Sequence, residues 1–186
     1  MKSGIEVFLD KLDELTGATG KFDRVTTDDE LPAIWAISYF DLIEPNSLTS
    51  FTFGLSSGDH PAWKFGKPEL VLHVRSTNID WSITLGNLVR RFRGTCSFSY
   101  GSVLNFGRRI TYDSEMSAFF VFASSLLDQK DAKIELPDRT VNLVQLYPIY
   151  EQEISLLERL GPTKFFFDTG LDFADIQRTC CSKIEF

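Results

Sequence analysis

The chain has 186 residues, a formal net charge of −7, 43% hydrophobic and 24% charged residues, which is the composition of a globular domain able to bury one substantial core. It has no apolar run of 18 residues, and an acid interrupts every apolar window near the amino terminus, so neither a membrane span nor a secretory signal is expected. Cys96, Cys180 and Cys181 are odd in number and two are adjacent, which argues against a disulfide framework and for a reducing, cytoplasmic compartment.

Ile5, Phe8, Leu9, Leu12 and Leu15 recur at helical spacing, predicting a helix over 4–16. Ser3 and Glu6 stand as the two halves of a capping box, and Gly17 ends the helix. The Thr- and Asp-rich stretch from there to Glu30 reads as an exposed connector. Strands are expected at 33–40, 49–55 and 69–75, with a Gly- and Pro-punctuated loop over 56–68. Trp81, Leu85, Leu88, Val89 and Phe92 then predict a helix over 80–92, capped by Asn78 or Asp80. Its last turn gathers Arg90, Arg91 and Arg93, where the negative end of the helix dipole favours cations. Beyond a Gly- and Ser-rich stretch, strands are expected at 117–123 and 140–147, the second preceded by a Pro137-Asp138 turn. The strand runs into Pro148, and a helix over 150–160 opens with Glu151 and Glu153 and stops at Gly161-Pro162. Phe165, Phe166 and Phe167 read as a short buried element. Strands interrupted by helices, with no repeat or linker, predict one α+β domain over 1–186, a central antiparallel or mixed sheet flanked by helices.

Candidate chemistry is sparse. His73 lies inside a strand, on the face opposite Leu72 and Val74, and reads as a packed histidine. Asp59 and His60 share a loop and form the best candidate acid–base pair, for an enzyme or a small-molecule site in a cleft between sheet and helix. Gly54-Leu55-Ser56-Ser57-Gly58 matches Gly-x-Ser-x-Gly, but Asp59-His60-Pro61 blocks the helix that a nucleophile elbow requires. The cysteines and histidines are spaced poorly for a metal, and no phosphate-binding glycine loop occurs, so no cofactor is expected. Arg90, Arg91, Arg93, Arg108 and Arg109 among aromatic residues raise nucleic-acid binding. The negative net charge argues against it.

Three segments carry a resemblance: Thr49-Ser-Phe-Thr-Phe-Gly-Leu-Ser56, Glu69-Leu-Val-Leu-His-Val-Arg75, and Val141 to Glu153 with its Pro148-Ile149 junction. With Arg178 near the end, their order and spacing resemble the Suppressor of fused (SUFU) family over about residues 30–180. The resemblance implies a largely antiparallel sheet flanked by helices, and a protein-binding role without catalysis. The length resembles the bacterial type, implying an immunity protein that neutralises a cognate polymorphic toxin in the cytoplasm.

Charge patterning is consistent with a basic partner. Residues 1–32 hold eight acids against four bases, and residues 128–186 hold eleven against seven, each a net −4, while the middle is +1. Such acidic ends attract a cationic protein and repel nucleic acid. Asp28, Asp29 and Glu30, with Asp59, His60 and Trp63 in the 56–68 loop, are the candidate partner-binding residues. The loop 57–68 and the region 94–116 are the segments best placed to carry a partner-selective surface.

Overall fold

A computed structural model describes residues 2–27 and 29–181. Helix α1 (Gly4–Thr16) forms as its periodicity predicts, with both halves of the Ser3–Glu6 capping box made and Gly17 left-handed at its end. The segment that followed as an expected connector instead contains strand β1 (Lys21–Arg24), paired antiparallel to β2 (Trp35–Phe40). It is an edge strand with mostly exposed side chains, so it lacks the buried alternation that reveals a strand. β3 (Leu48–Phe53) and β4 (Lys67–Val74) follow, joined by a 3-10 turn at Leu55–Ser57 and the loop beyond it.

Helix α2 (Asp80–Phe92) has the expected bounds, and the Asn78 side chain accepts from the Asp80 N–H at its start. The Gly- and Ser-rich stretch holds a second unforeseen strand, β5 (Val103–Asn105). Three residues give too short a pattern to read. β6 (Ala118–Phe122), β7 (Lys133–Glu135) and β8 (Thr140–Ile149) complete the sheet. β8 continues through Pro148, which stands opposite Phe119 of β6 after β4 has left at Leu146. A 3-10 turn at Glu151–Glu153 then leads into α3 (Ile154–Leu160), and α4 (Pro162–Asp168) contains the three phenylalanines. Only Phe165 is fully buried, and Phe167 is exposed.

The sheet order is β1-β2-β3-β4-β8-β6-β5, with β7 on β8. All pairings are antiparallel except β4 with β8. β6 and β7 share one edge of β8, taking residues 145–149 and 140–142 respectively. This is the mixed α+β architecture expected. The period of two along the strands sends Leu70, Leu72, Val74, Val144 and Leu146 to one face, against Trp81, Leu85, Leu88 and Val89 of α2. Gly86 lets that helix sit close, since a Cβ there would lie 2.4 Å from Val25. On the opposite face, Val71 and Leu143 meet Phe8 and Leu12 of α1, and Phe120, Tyr147 and Ile149 meet α3 and α4. β3 is buried along its whole length although half of it is polar: Thr49, Ser50 and Thr52 find partners inside in His73, Ser82 and Glu69. Among the described residues no helix is long and apolar enough to cross a membrane.

Candidate functional site

The residues that carry the family resemblance form two buried polar knots. In the first, the Glu69 carboxylate, at zero exposure, accepts from the Gly54 and Ser56 N–H groups at 2.8 and 2.9 Å. It also accepts from the hydroxyls of Thr52 and Ser56, both at 2.7 Å. Arg139 donates to the same Ser56 hydroxyl and stacks over Phe53. One carboxylate thus closes the turn after β3, because buried N–H groups need an acceptor. In the second, Arg178 holds Glu153 through two hydrogen bonds, at 2.5 and 2.7 Å, and lies over the rings of Tyr150 and Phe173. The N–H groups of Cys181 and Tyr150 donate to the same carboxylate. Burial pushes the Glu153 carboxyl up, but the Arg178 bonds and charge outweigh it and leave it below the ordinary 4.5. Glu153 stands in the first turn as expected, and it is in addition the buried anchor of the carboxy-terminal segment, a role its place in the sequence did not reveal. Both knots lie inside the molecule and present nothing to a partner.

The surface is different where the loops 57–68 and 94–102 meet. Trp63 Nε1 donates to the Ser97 carbonyl at 2.7 Å, and the indole packs on the edge of the α2-side core. Asn142 of β8 donates to the Phe65 carbonyl, and Gly66, at φ 130°, lies against the same side chain, where a Cβ would meet Asn142 Nδ2 at 2.4 Å. These ties leave a cleft of about 490 Å³ lined by Trp63, Lys64, Phe65, Tyr100, Gln129 and Lys133, among others. Phe65 is 90% exposed and Tyr100 57%. Exposed rings on a tied-down loop are the type of group that anchors protein interfaces.

The other candidate residues fall in several places. Glu30 makes an ion pair with Arg90, Nε to Oε2 at 2.8 Å, while Asp29 is exposed and Asp28 lies outside the described residues. Arg93 donates to the carbonyls of Pro32 and Gly54. Arg90 and Arg93 are thus occupied with specific partners rather than with the helix dipole alone. Asp59 pairs with Lys67 at 2.6 Å, and His60 Nδ1 accepts from the Ala62 N–H, with its ring 5.7 Å from Trp63. The two members of the candidate acid–base pair therefore have separate partners. Among the described residues no three side chains of metal-ligating type converge. Trp63 is the one predicted residue at the cleft. Phe65 went unmarked, although a large aromatic in polar loop sequence is a signal that could have found it, and Tyr100 entered only among the aromatic residues set beside the arginines for nucleic-acid binding.

Comparison with known proteins follows the same lines. The family model described as Suppressor of fused protein (SUFU) matches residues 31–179. The fold is similar to that of a SUFU homolog from Neisseria gonorrhoeae FA 1090, at TM-score 0.75 and 20% identity over 97% of each chain. It is also similar to a chain in the crystal structure of a Sufu–Fu complex, at TM-score 0.70 and 15% identity over 95% of this chain and 91% of that one. Drosophila Suppressor of Fused matches at TM-score 0.69 and 14% identity, over 95% of this chain and 50% of that one. No curated protein sequence matches the chain.

Proposed function

This chain belongs to the Suppressor of fused family, and from that premise we propose that it is a protein-binding module without catalysis. In the finer reading it is a cytoplasmic immunity protein that occupies and neutralises a cationic toxin domain. The observation that carries the binding role is the cleft rimmed by the exposed rings of Phe65 and Tyr100, where the loops 57–68 and 94–102 meet. Two further facts support it. A neighbour of the same fold is described in a Sufu–Fu complex, and the net charge of −7 favours a basic partner. The domain boundaries are proposed to be those of the whole chain, with α1 closing one sheet face.

The test is capture from the native host, with the wild-type chain and a Phe65→Ala/Tyr100→Ala variant as parallel baits. The expected result is one basic protein retained near stoichiometrically by the wild type, inhibited in its own toxic activity, and bound at least about thirtyfold more weakly by the variant, the effect of losing a hot spot of about 2 kcal/mol. Equal capture by both baits would move the interface elsewhere. Capture of a partner with no toxic activity would retain the binding module and remove the immunity reading.

A further inference from the structure

A second cavity, sharing no lining residue with the cleft, lies on the sheet face beneath the 166–174 segment. It measures about 320 Å³, the lower end of the range for small-molecule sites. Its floor is polar where the rest of that face is apolar. His73 from β4 and Gln145 and Tyr147 from β8 point the same way, with Val71 standing beside Gln145 in the parallel pairing. Leu171, Phe166 and Phe173 form the opposite wall, the last two stacked at 5.3 Å with 2° between their planes.

The hydrogen bonds inside are unevenly filled. Gln145 Oε1 accepts from the Ser124 hydroxyl and the Ser125 N–H, both at 3.0 Å. The Tyr147 hydroxyl donates to the Ala123 carbonyl at 2.7 Å and accepts from the Ser125 N–H. His73 Nδ1 meets Thr49 Oγ1 at 2.9 Å, and its Nε2 faces Glu44 at 3.5 Å. The Gln145 Nε2 group, on a side chain only 2% exposed, has no hydrogen-bond partner among the described residues. Unlike Trp81 Nε1, which is fully buried without a partner among the described residues, this donor keeps solvent access through the cavity, where an acceptor can fill its role. At the mouth Asp172 and Glu44 both pair with Arg75, so fixed charge there is not positive. Burial holds His73 below the ordinary imidazole value, leaving it uncharged near neutrality.

We propose that this cavity is a binding site for a small, neutral aromatic carboxamide, whose carbonyl accepts from Gln145 Nε2 and whose ring lies against Phe166 and Phe173. The aromatic wall favours a ring. The unpartnered donor selects a carbonyl, and the acids at the mouth disfavour a carboxylate. The site is independent of the partner-binding reading and stands or falls separately from it.

The experiment titrates the full chain with benzamide and nicotinamide, reading amide shifts by NMR, with benzoate as the charged control. Saturable shifts centred on His73, Ser125, Gln145 and Ala174, with benzoate weaker, are expected. Gln145→Glu keeps the acceptor for Ser125 while removing the donor, and should weaken benzamide about tenfold. Ala174→Leu fills the mouth without removing a hydrogen bond, and should abolish binding even if the Gln145 variant folds poorly. No saturable binding by the wild type overturns the proposal. So does binding unchanged in both variants, or benzoate binding as tightly as benzamide.

Discussion

Glu153 and Arg178 show how much a single pair can determine. Both are buried, 25 residues apart in sequence, and their contact fixes the chain after α4 against the end of β8. Removing one partner strands the other charge, so Glu153→Gln should cost about 3–5 kcal/mol, read as a lower urea midpoint. Replacing both partners, as Glu153→Leu/Arg178→Met, should restore much of that loss, because a buried pair and a packed apolar pair are close in energy. The pH dependence has a definite sign. The folded carboxyl lies below its unfolded value of 4.5, so its contribution is fully present above that value and is lost as pH falls through the lower, folded one. In Glu153→Gln that part of the acid slope should vanish, and an unchanged acid profile would show that other carboxylates govern acid unfolding.

At the scale of elements, the decisive tie is between two loops. The hydrogen bond from Trp63 to the Ser97 carbonyl spans 34 residues and holds Phe65 beside Tyr100. Trp63→Phe keeps most of the ring and loses the donor. It should cost about 0.5–1.5 kcal/mol and speed hydrogen exchange in residues 58–66 while the β4 amides stay protected. Unchanged exchange there would mean that packing alone holds the loop. The same contrast explains what the sequence could reveal. α1 and α2 were readable because a 3.6-residue period, with a capping box in α1, is local information, and β2, β3, β4, β6 and β8 because they are short segments rich in strand-forming apolar, aromatic and Thr residues between turn signals. β1 was hidden because Lys21–Arg24 buries almost nothing, and β5 because it has three residues. The family motifs identified the fold, yet Glu69 and Glu153 gained meaning only once the turn and the arginine they hold were in view. The cleft was legible only as two unassigned loops. Their meeting depends on contacts between side chain and backbone far apart in sequence, which no local pattern encodes.

Across the whole molecule, charge and cleft divide the work of binding. The cleft brings Lys64 and Lys133, the latter paired with Glu135, so the attraction for a cationic partner must come from the net −7 of the chain as a whole. Long-range fields act on the rate of encounter, whereas desolvated aromatic contacts act on the lifetime of the complex. With the captured partner, the association rate of the wild type should fall roughly tenfold or more as salt rises from low to physiological strength, and the dissociation rate should move little. Phe65→Ala should do the reverse, raising dissociation while leaving the salt slope of association intact. Asp29→Lys, at an exposed acid beside the Glu30–Arg90 ion pair, should lower the association rate. Stopped-flow measurements over a salt series separate these terms. An association rate indifferent to salt would mean that the partner is not recognised through its positive charge, and the toxin reading would lose its electrostatic support while the aromatic cleft kept its own.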